Sequence, residues 1–444
     1  MEEELQPINQ EDRMEVLQQQ RRARKRRRLI SALITILAIA LLTGAIILIL
    51  DNSGSILSGL LDKRPAATEV TPAVQPADEE YSTVTIAAVG SICISDRLLV
   101  DARTSDGYDF SPCFFGVAKE LSDADLTVGD LVCNFAGTPY GSATSSSPEN
   151  LADTLAGLGF DLLQTANCAS IANGVAGLES TIDVIDKAGM HSVGTFASAE
   201  ERSRSGGITM LEANGMRVAF IAFTKGLGNM SLPEEAAGTV NLLYRDYDTN
   251  YSELDTEGIT AVMDNAKKQS PDVIVVLLHW GSEYSSEVSD TQQELVELLY
   301  DNGADAIIGT HSHMVGPIEE TTRTQEDGSE KAVVTAYDLG DFFTDSTKPD
   351  TRTSMVLKLT FTRNNRSGRS MLSDCSYTSV YCADCGMEAQ NRYQVLGIRD
   401  AMELYEQNYV YSVPAEVYEQ LSGELTAFFK HVAPRPVEEP ESED

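Results

Sequence analysis

An α/β fold is what this chain predicts, and two observations carry the expectation. Short apolar, β-branched runs recur through its middle with helix-length stretches between them, and two of the most apolar runs lead into histidines. Residues 273–278 and 306–308 read as strands buried on both faces, with a helix-like segment at 291–302 between them. Strands joined through a helix run parallel. Leu278-His279-Trp280-Gly281 and Gly309-Thr310-His311-Ser312-His313 therefore both fall at carboxyl strand ends, the edge where open α/β sheets bind ligands and metals. Three of the five histidines sit there. Residues two apart in an extended segment project to one side, so His311 and His313 are expected to offer two imidazoles from one turn.

The elements follow in order. Arg21-Arg22-Ala23-Arg24-Lys25-Arg26-Arg27-Arg28 leads into 29–50, which are 22 residues without a charge, long enough to span a bilayer. The basic flank is expected inside by the positive-inside rule, giving a cytoplasmic tail at 1–28, one transmembrane helix at 29–50 and everything later outside the cytoplasm. A cleaved signal peptide has a shorter apolar core and an A-x-A site, and none follows Leu50. Residues 51–83, rich in Ser, Ala, Pro and acids, read as an extracytoplasmic linker. Strands are then expected at 84–90, 126–128, 160–163, 218–223, at the two histidine runs and at 332–337, with helices at 150–157 and 177–188. Gly189 is placed to end the second of these helices. Beyond 355 the pattern turns antiparallel, 355–362 then 375–381, joined by Asn364-Asn365-Arg366-Ser367-Gly368. One amphipathic helix, 415–431, precedes an acidic tail at 434–444 that is expected to be disordered.

Composition bounds the function. With 42% hydrophobic residues the chain can fill a sizeable core. Its net charge of −35 repels phosphates, which excludes nucleic acid as the expected partner and fits a cation-rich cell surface.

The order of motifs resembles the CapA family, named for the poly-gamma-glutamate capsule synthesis protein, whose domain is similar to the calcineurin-like metallophosphatases. His279-Trp280-Gly281-Ser282-Glu283-Tyr284 looks like the family's H-W-G-x-E-Y. Gly303-Ala304-Asp305-Ala306-Ile307-Ile308-Gly309-Thr310-His311-Ser312-His313 looks like G-A-D-x-(I/V)-I-G-x-H-P-H, and Tyr337-Asp338-Leu339-Gly340-Asp341-Phe342 stands where the family has Y-S-L-G-N-F. The resemblance implies a two-sheet α/β/β/α sandwich of the calcineurin-like metallophosphatase type over 84–372, with metal at the strand ends. Residues 373–433 would follow as Cys-containing strands and helices.

The departures lie in the first half. Gly90-Ser91 replaces the family's Gly-Asp, Asn134-Phe135-Ala136 replaces N-L-E, and Ala166-Asn167-Cys168-Ala169-Ser170-Ile171-Ala172-Asn173-Gly174 replaces A-N-N-H-x-x-D-x-G. A two-metal hydrolase needs anionic oxygens to hold hard dications, and three neutral imidazoles do not supply that charge. The expected site is therefore degenerate, holding at most one divalent ion, zinc or manganese, through His279, His311, His313 and Cys168. Thiolate plus imidazoles is zinc chemistry with an open fourth position; a small buried cysteine is the bland alternative.

Ser91, Asn134, Asn167, Trp280, Glu283 and Tyr284 are the expected pocket residues. Trp280 and Tyr284 either stack on a polymer or pack beside the histidine strand. Glu283, Asp338 and Asp341 are the carboxylates nearest the motifs, and Asp341, where the family has an amide, joins the three histidines as a candidate catalytic group. Cys93 and Cys133 follow the first two strands. Seven cysteines leave at least one unpaired, and a local disulfide from Cys375 across a hairpin to Cys382 or Cys385 is expected unless the setting is reducing. The functional expectation is synthesis, export or retention of an anionic surface polymer, with the bilayer and the synthesis machinery as partners. The alternatives are an active metal-dependent hydrolase of a phosphoester or amide, and a non-enzymatic surface scaffold.

Overall fold

The computed structural model describes residues 80–325, 328–387, 389, 391–409 and 412–433. The expected tail, transmembrane helix and linker lie outside the described residues apart from the linker's last four, and so does the acidic tail. No helix among the described residues is long and apolar enough to cross a membrane.

In chain order the elements are β1 (Tyr81–Cys93), α1 (Asp96–Asp101), β2 (Arg103–Thr104), β3 (Gly107–Tyr108), α2 (Ala118–Ser122), β4 (Leu126–Val132), α3 (Asn150–Leu158), β5 (Leu162–Gln164), α4 (Gly174–Lys187), β6 (His191–Val193), α5 (Ala199–Ser205), β7 (Thr209–Ala213) and β8 (Met216–Thr224). Then come α6 (Thr256–Lys268), β9 (Val273–His279), α7 (Asp290–Asp301), β10 (Ala306–Thr310), β11 (Ile318–Thr324), β12 (Glu330–Ala336), β13 (Asp341–Phe343), β14 (Thr353–Asn364), β15 (Ser370–Asp384), β16 (Tyr393–Gly397), α8 (Ile398–Glu406) and α9 (Ala415–Val432). One sheet has the order β16-β15-β14-β1-β4-β5-β6, with β13 added beside β1; the other runs β11-β12-β10-β9-β8-β7. β1, β4, β5 and β6 are parallel, as are β8, β9, β10 and β12.

Strand periodicity builds the layers. Val84, Ile86 and Ala88 of β1 pack with Val273, Val275 and Leu277 of β9 in one cluster between the sheets. The alternate residues face outward, Ala87 and Val89 onto Leu151 and Leu155 of α3, and Ile274, Val276 and Leu278 onto Ile259 of α6 and Leu295 of α7. The result is the expected order of helices, sheet, sheet, helices.

The C-terminal region modifies the expectation. β15 runs through residue 372 and pairs with β14 along its length, so the expected boundary at 372/373 falls inside a strand of the first sheet. α8 and α9 pack on that strand's end through Ile398, Ala401, Val417 and Leu421. Cys375 and Cys382 lie on this same strand, about 23 Å apart at an extended rise. A bridge between them is excluded, and all seven cysteines are free thiols.

Candidate metal centre

Two rows of three residues meet where the sheets' carboxyl ends converge. In the first sheet the register places Asp341 of β13, Ser91 of β1 and Asp130 of β4 side by side. In the second it aligns Thr224 of β8, His279 of β9 and Thr310 of β10. β1 comes this close to the 338–341 segment because position 90 is glycine: a Cβ there would lie 1.8 Å from the Gly340 carbonyl oxygen.

Asp130 ties the rows together. It is 1% exposed, its Oδ2 accepts from Ser91 Oγ at 3.1 Å and Thr310 Oγ1 at 2.8 Å and stands 3.0 Å from His279 Nδ1, while Oδ1 accepts from Asn167 Nδ2 at 2.8 Å. Burial pushes the His279 imidazole down, but Asp130 and then Cys168 outweigh it and raise it to about 10. The other ring nitrogen, Nε2, is buried with no hydrogen bond of regular geometry, and the Cys168 thiol is the group that acts on the ring besides Asp130. An orphaned buried nitrogen of this kind is costly.

Cys168 and His311 lie beside the His279 ring. Cys168 Sγ and one ring nitrogen each of His279 and His311 all lie within 4.8 Å of one another. The two rings are 4.4 Å apart between centroids, and burial, with the charges of His279 and Lys225, depresses His311 to about 2, leaving it a neutral imidazole. One thiolate and two imidazoles suit zinc, and a metal-bound histidine usually gives its second nitrogen to a carboxylate, as His279 does to Asp130. The residues fit one such ion, since coordination at Nε2 displaces its proton and satisfies the orphan. This is the one group of three potential ligands that meets such a distance limit among the described residues.

His313 stands apart from that set. Its Nδ1 lies 3.0 Å from both carboxylate oxygens of Asp341, its ring centroid is 6.4 Å from that of His311, and Tyr284 stacks on it at 5.1 Å. Burial pushes His313 down, yet the hydrogen bond and charge of Asp341 leave it raised on balance, and burial likewise raises Asp341. The expected extended alternation at 311–313 gives way to left-handed backbone at His311 (φ 110°) and His313 (φ 66°). Asp338 braces this turn by accepting the Ser312 N–H at 2.7 Å and the Gly340 N–H at 2.8 Å.

The expected pocket residues divide. Ser91 and Asn167 enter the Asp130 network. Asn134 instead clamps the 170–173 loop, donating to the Ser170 carbonyl and accepting from Asn173. Trp280 is core, 2% exposed, its indole bonded to the Tyr337 carbonyl at 2.9 Å and stacked on the Tyr337 ring, so a polymer-stacking role for it is corrected. Glu283 is exposed, and Tyr284, 43% exposed, covers His313. Cys93 lies near Asp341, Asp130 and Cys168, and burial raises its thiol.

Two residues escaped the sequence reading. Asp130 supplies a carboxylate where all early acids were expected lost; its signal was an acid inside the apolar run 126–132, which burial tolerates only when it is paired. Lys225, directly after β8, donates its backbone N–H to the His279 carbonyl and its Nζ to the Gly281 carbonyl at 2.5 Å. It follows an apolar strand that carries no histidine, and nothing local marks it.

Comparison with known proteins completes the picture. The chain is 28% identical over 208 residues to the PGA biosynthesis protein CapA of Bacillus subtilis (strain 168), covering 47% of this chain and 48% of the relative. It is 27% identical over 214 residues to the capsule biosynthesis protein CapA of Bacillus anthracis, covering 48% and 47%. The chain thus spans about half the length of these curated relatives. Among solved structures, the calcineurin-like phosphoesterase YfkN from Bacillus subtilis superimposes with a TM-score of 0.37 at 14% identity, over 79% of this chain and 97% of that one. Residues 85–346, more than half of the chain, match the family described as "Bacterial capsule synthesis protein PGA_cap", and the chain belongs to that family.

Proposed function

We propose that this protein works at the cell surface in the synthesis, export or retention of an anionic capsule polymer, through a domain with one zinc-type centre instead of a two-metal hydrolase site. Family membership supports the polymer role. The run 29–50 behind a basic cluster supports a single membrane anchor with the domain outside. The observation that carries the reading of the site is the Cys168–His279–His311 group, backed by Asp130 and without a second such group among the described residues.

Cys168, His279 and His311 would hold a zinc ion, which would supply Lewis-acid chemistry to a substrate oxygen. The chain's own residues do the rest. Asp130 fixes the ring of His279, while Asp341 takes Nδ1 of His313 and leaves Nε2 as the nitrogen available to hold or accept a proton at the mouth.

Elemental analysis of the full-length chain purified without chelator should find about one zinc per chain, lost in the Cys168→Ser, His311→Ala double variant. Two metals per chain together with phosphoester or amide hydrolysis would instead restore the dinuclear hydrolase.

A further inference from the structure

A cavity of about 270 Å³ opens between α5 and α6, and none of the residues lining it belongs to the metal centre. Small side chains keep it open: Ala199, Ala261 and Gly238 form part of the wall, and a Cβ added at Gly238 would have only the Ala199 Cβ within 4 Å, at 3.9 Å. Arg202 is the one charged residue of the wall. No Asp or Glu lines the cavity, in a chain with 68 acidic residues.

The guanidinium of Arg202 is held at one corner. Its Nε donates to Asn241 Oδ1 at 2.8 Å, and Asn241 is fully buried, with Nδ2 donating to the Gly207 and Ala222 carbonyls at 2.9 and 3.1 Å. An amide with all its groups engaged does not turn, so it fixes the fork that it accepts from. Nη1 and Nη2 make no hydrogen bond or ion pair among the described residues. Arg97, Arg245, Arg323, Arg363 and Arg392, by contrast, each meet a carboxylate. Asp255 acts on Arg202 only through space, since its carboxylate takes the Arg245 guanidinium at 3.0 Å and caps α6 through the Gly258 N–H at 3.2 Å. Burial depresses the pKa of Arg202, as it does for a cation that has lost water without gaining a counter-charge. Two further donors of the wall, the Ser203 hydroxyl and the Gly238 N–H, are also without a partner among the described residues.

We propose that this cavity binds a small phosphate monoester, with Nη1 and Nη2 of Arg202 as the principal donors and the Ser203 hydroxyl and Gly238 N–H as secondary ones. A planar carboxylate offers two oxygens, which the fork alone satisfies, whereas a phosphate monoester has three terminal oxygens and uses donors outside that plane as well. Size limits the rest of the ligand. Pockets for drug-sized molecules begin at roughly 300 Å³, so a few carbons fit beside the phosphate and a polymer chain does not. The site is therefore distinct from polymer handling, although one hydrogen-bonded step joins it to the metal centre: the Asn241 carbonyl accepts the Thr224 N–H at 3.1 Å, and Thr224 is the register neighbour of His279.

The test is isothermal titration calorimetry of the full-length chain with glycerol 3-phosphate, and with succinate as the carboxylate probe. Glycerol 3-phosphate should bind saturably at one site with Kd below about 1 mM, and succinate at least about tenfold more weakly. Arg202→Gln should weaken binding of the ester about thirtyfold, the loss expected for a charged two-pronged donor. Ala261→Leu, which narrows the cavity and leaves the Arg202–Asn241 bond in place, should weaken it about tenfold, and Ser203→Ala about threefold. The Cys168→Ser, His311→Ala double variant should bind the ester as the parent does. Binding lost in that double variant but unchanged in Arg202→Gln and Ala261→Leu puts the phosphate at the metal centre and overturns the proposal. Absence of saturable binding up to about 10 mM overturns it too, and succinate binding as tightly as the ester overturns the phosphate assignment. If circular dichroism shows that Arg202→Gln does not fold, because the buried Asn241 Oδ1 has lost its donor, Ala261→Leu and Ser203→Ala decide, and unchanged affinity in both overturns the site.

Discussion

His279 and His313 each hold a carboxylate 3.0 Å from Nδ1, but the two pairs live in different surroundings. In the first, both side chains are at most 2% exposed, and Asp130 accepts three further hydrogen bonds from Ser91, Thr310 and Asn167. In the second, His313 is 23% exposed, on a left-handed turn under Tyr284. The same contact therefore does two jobs. A carboxylate saturated with donors cannot swing, so the ring of His279 is held in one orientation, whereas the ring of His313 keeps one side open. Donor number and solvent access, more than the Asp–His distance, separate a fixed buried pair from an open one.

The comparison can be broken most directly at Asp130. Asp130→Ala strips the partner from His279 and leaves three buried donors unmet, which should cost about 3–5 kcal/mol in urea unfolding and abolish zinc retention. A loss below about 1 kcal/mol with zinc kept would show that the buried network is dispensable.

A second measurement sharpens the contrast between a histidine on a regular strand end and one on a braced turn. Burial raises the Asp338 carboxyl from 3.8 to about 6 despite the two backbone N–H groups that it accepts. Because the folded-state value lies above the unfolded one, the neutral acid favours folding. That stabilisation is fully present below about pH 4 and is lost as the pH rises through 6, amounting to about 3 kcal/mol. Urea midpoints between pH 4 and 7, taken with chelator present, should fall with pH for the parent and stay flatter for Asp338→Asn. Equal slopes in the two proteins would remove Asp338 as the source.

The smallest effect is expected at the open pair. Asp341→Asn restores the amide that the family carries, and its oxygen still accepts from His313 Nδ1, so stability should change by less than about 1 kcal/mol. The His313 titration, followed by NMR of the imidazole, should move down, since Asp341 is what holds it up. An unmoved titration would mean that the two pairs differ less than their surroundings imply.

How much of this was legible beforehand depends on the range of the interaction. The runs 273–278 and 306–308 predicted β9 and β10 because a strand buried on both faces must be apolar at every position, and His279 and His311 followed as strand-end residues. β5, expected from 160, begins at Leu162, and the short β6, β13 and β16 were missed because three to five residues carry too little periodicity. Cys168 was identified because it stood in a recognisable segment. Asp130 was overlooked because attention fell on Asn134, four residues later, which serves a loop instead. The 311–313 turn was read as extended because nothing nearby signals left-handed backbone at a histidine, a conformation that depends on Asp338 beyond the next two strands.

By itself, then, the sequence determined the layered α/β class, the apolar run behind a basic cluster and the presence of imidazoles at strand ends, since each rests on a local pattern of hydrophobicity or chain direction. Tertiary structure alone decided which imidazoles meet Cys168 and which one pairs with a carboxylate at the rim. That choice depends on Asp130 reaching across from the other sheet to a histidine 149 positions away, and on Lys225 arriving beside it from a third strand. Burial and hydrogen bonding between groups so distant in the chain arise only when the two sheets close on one another.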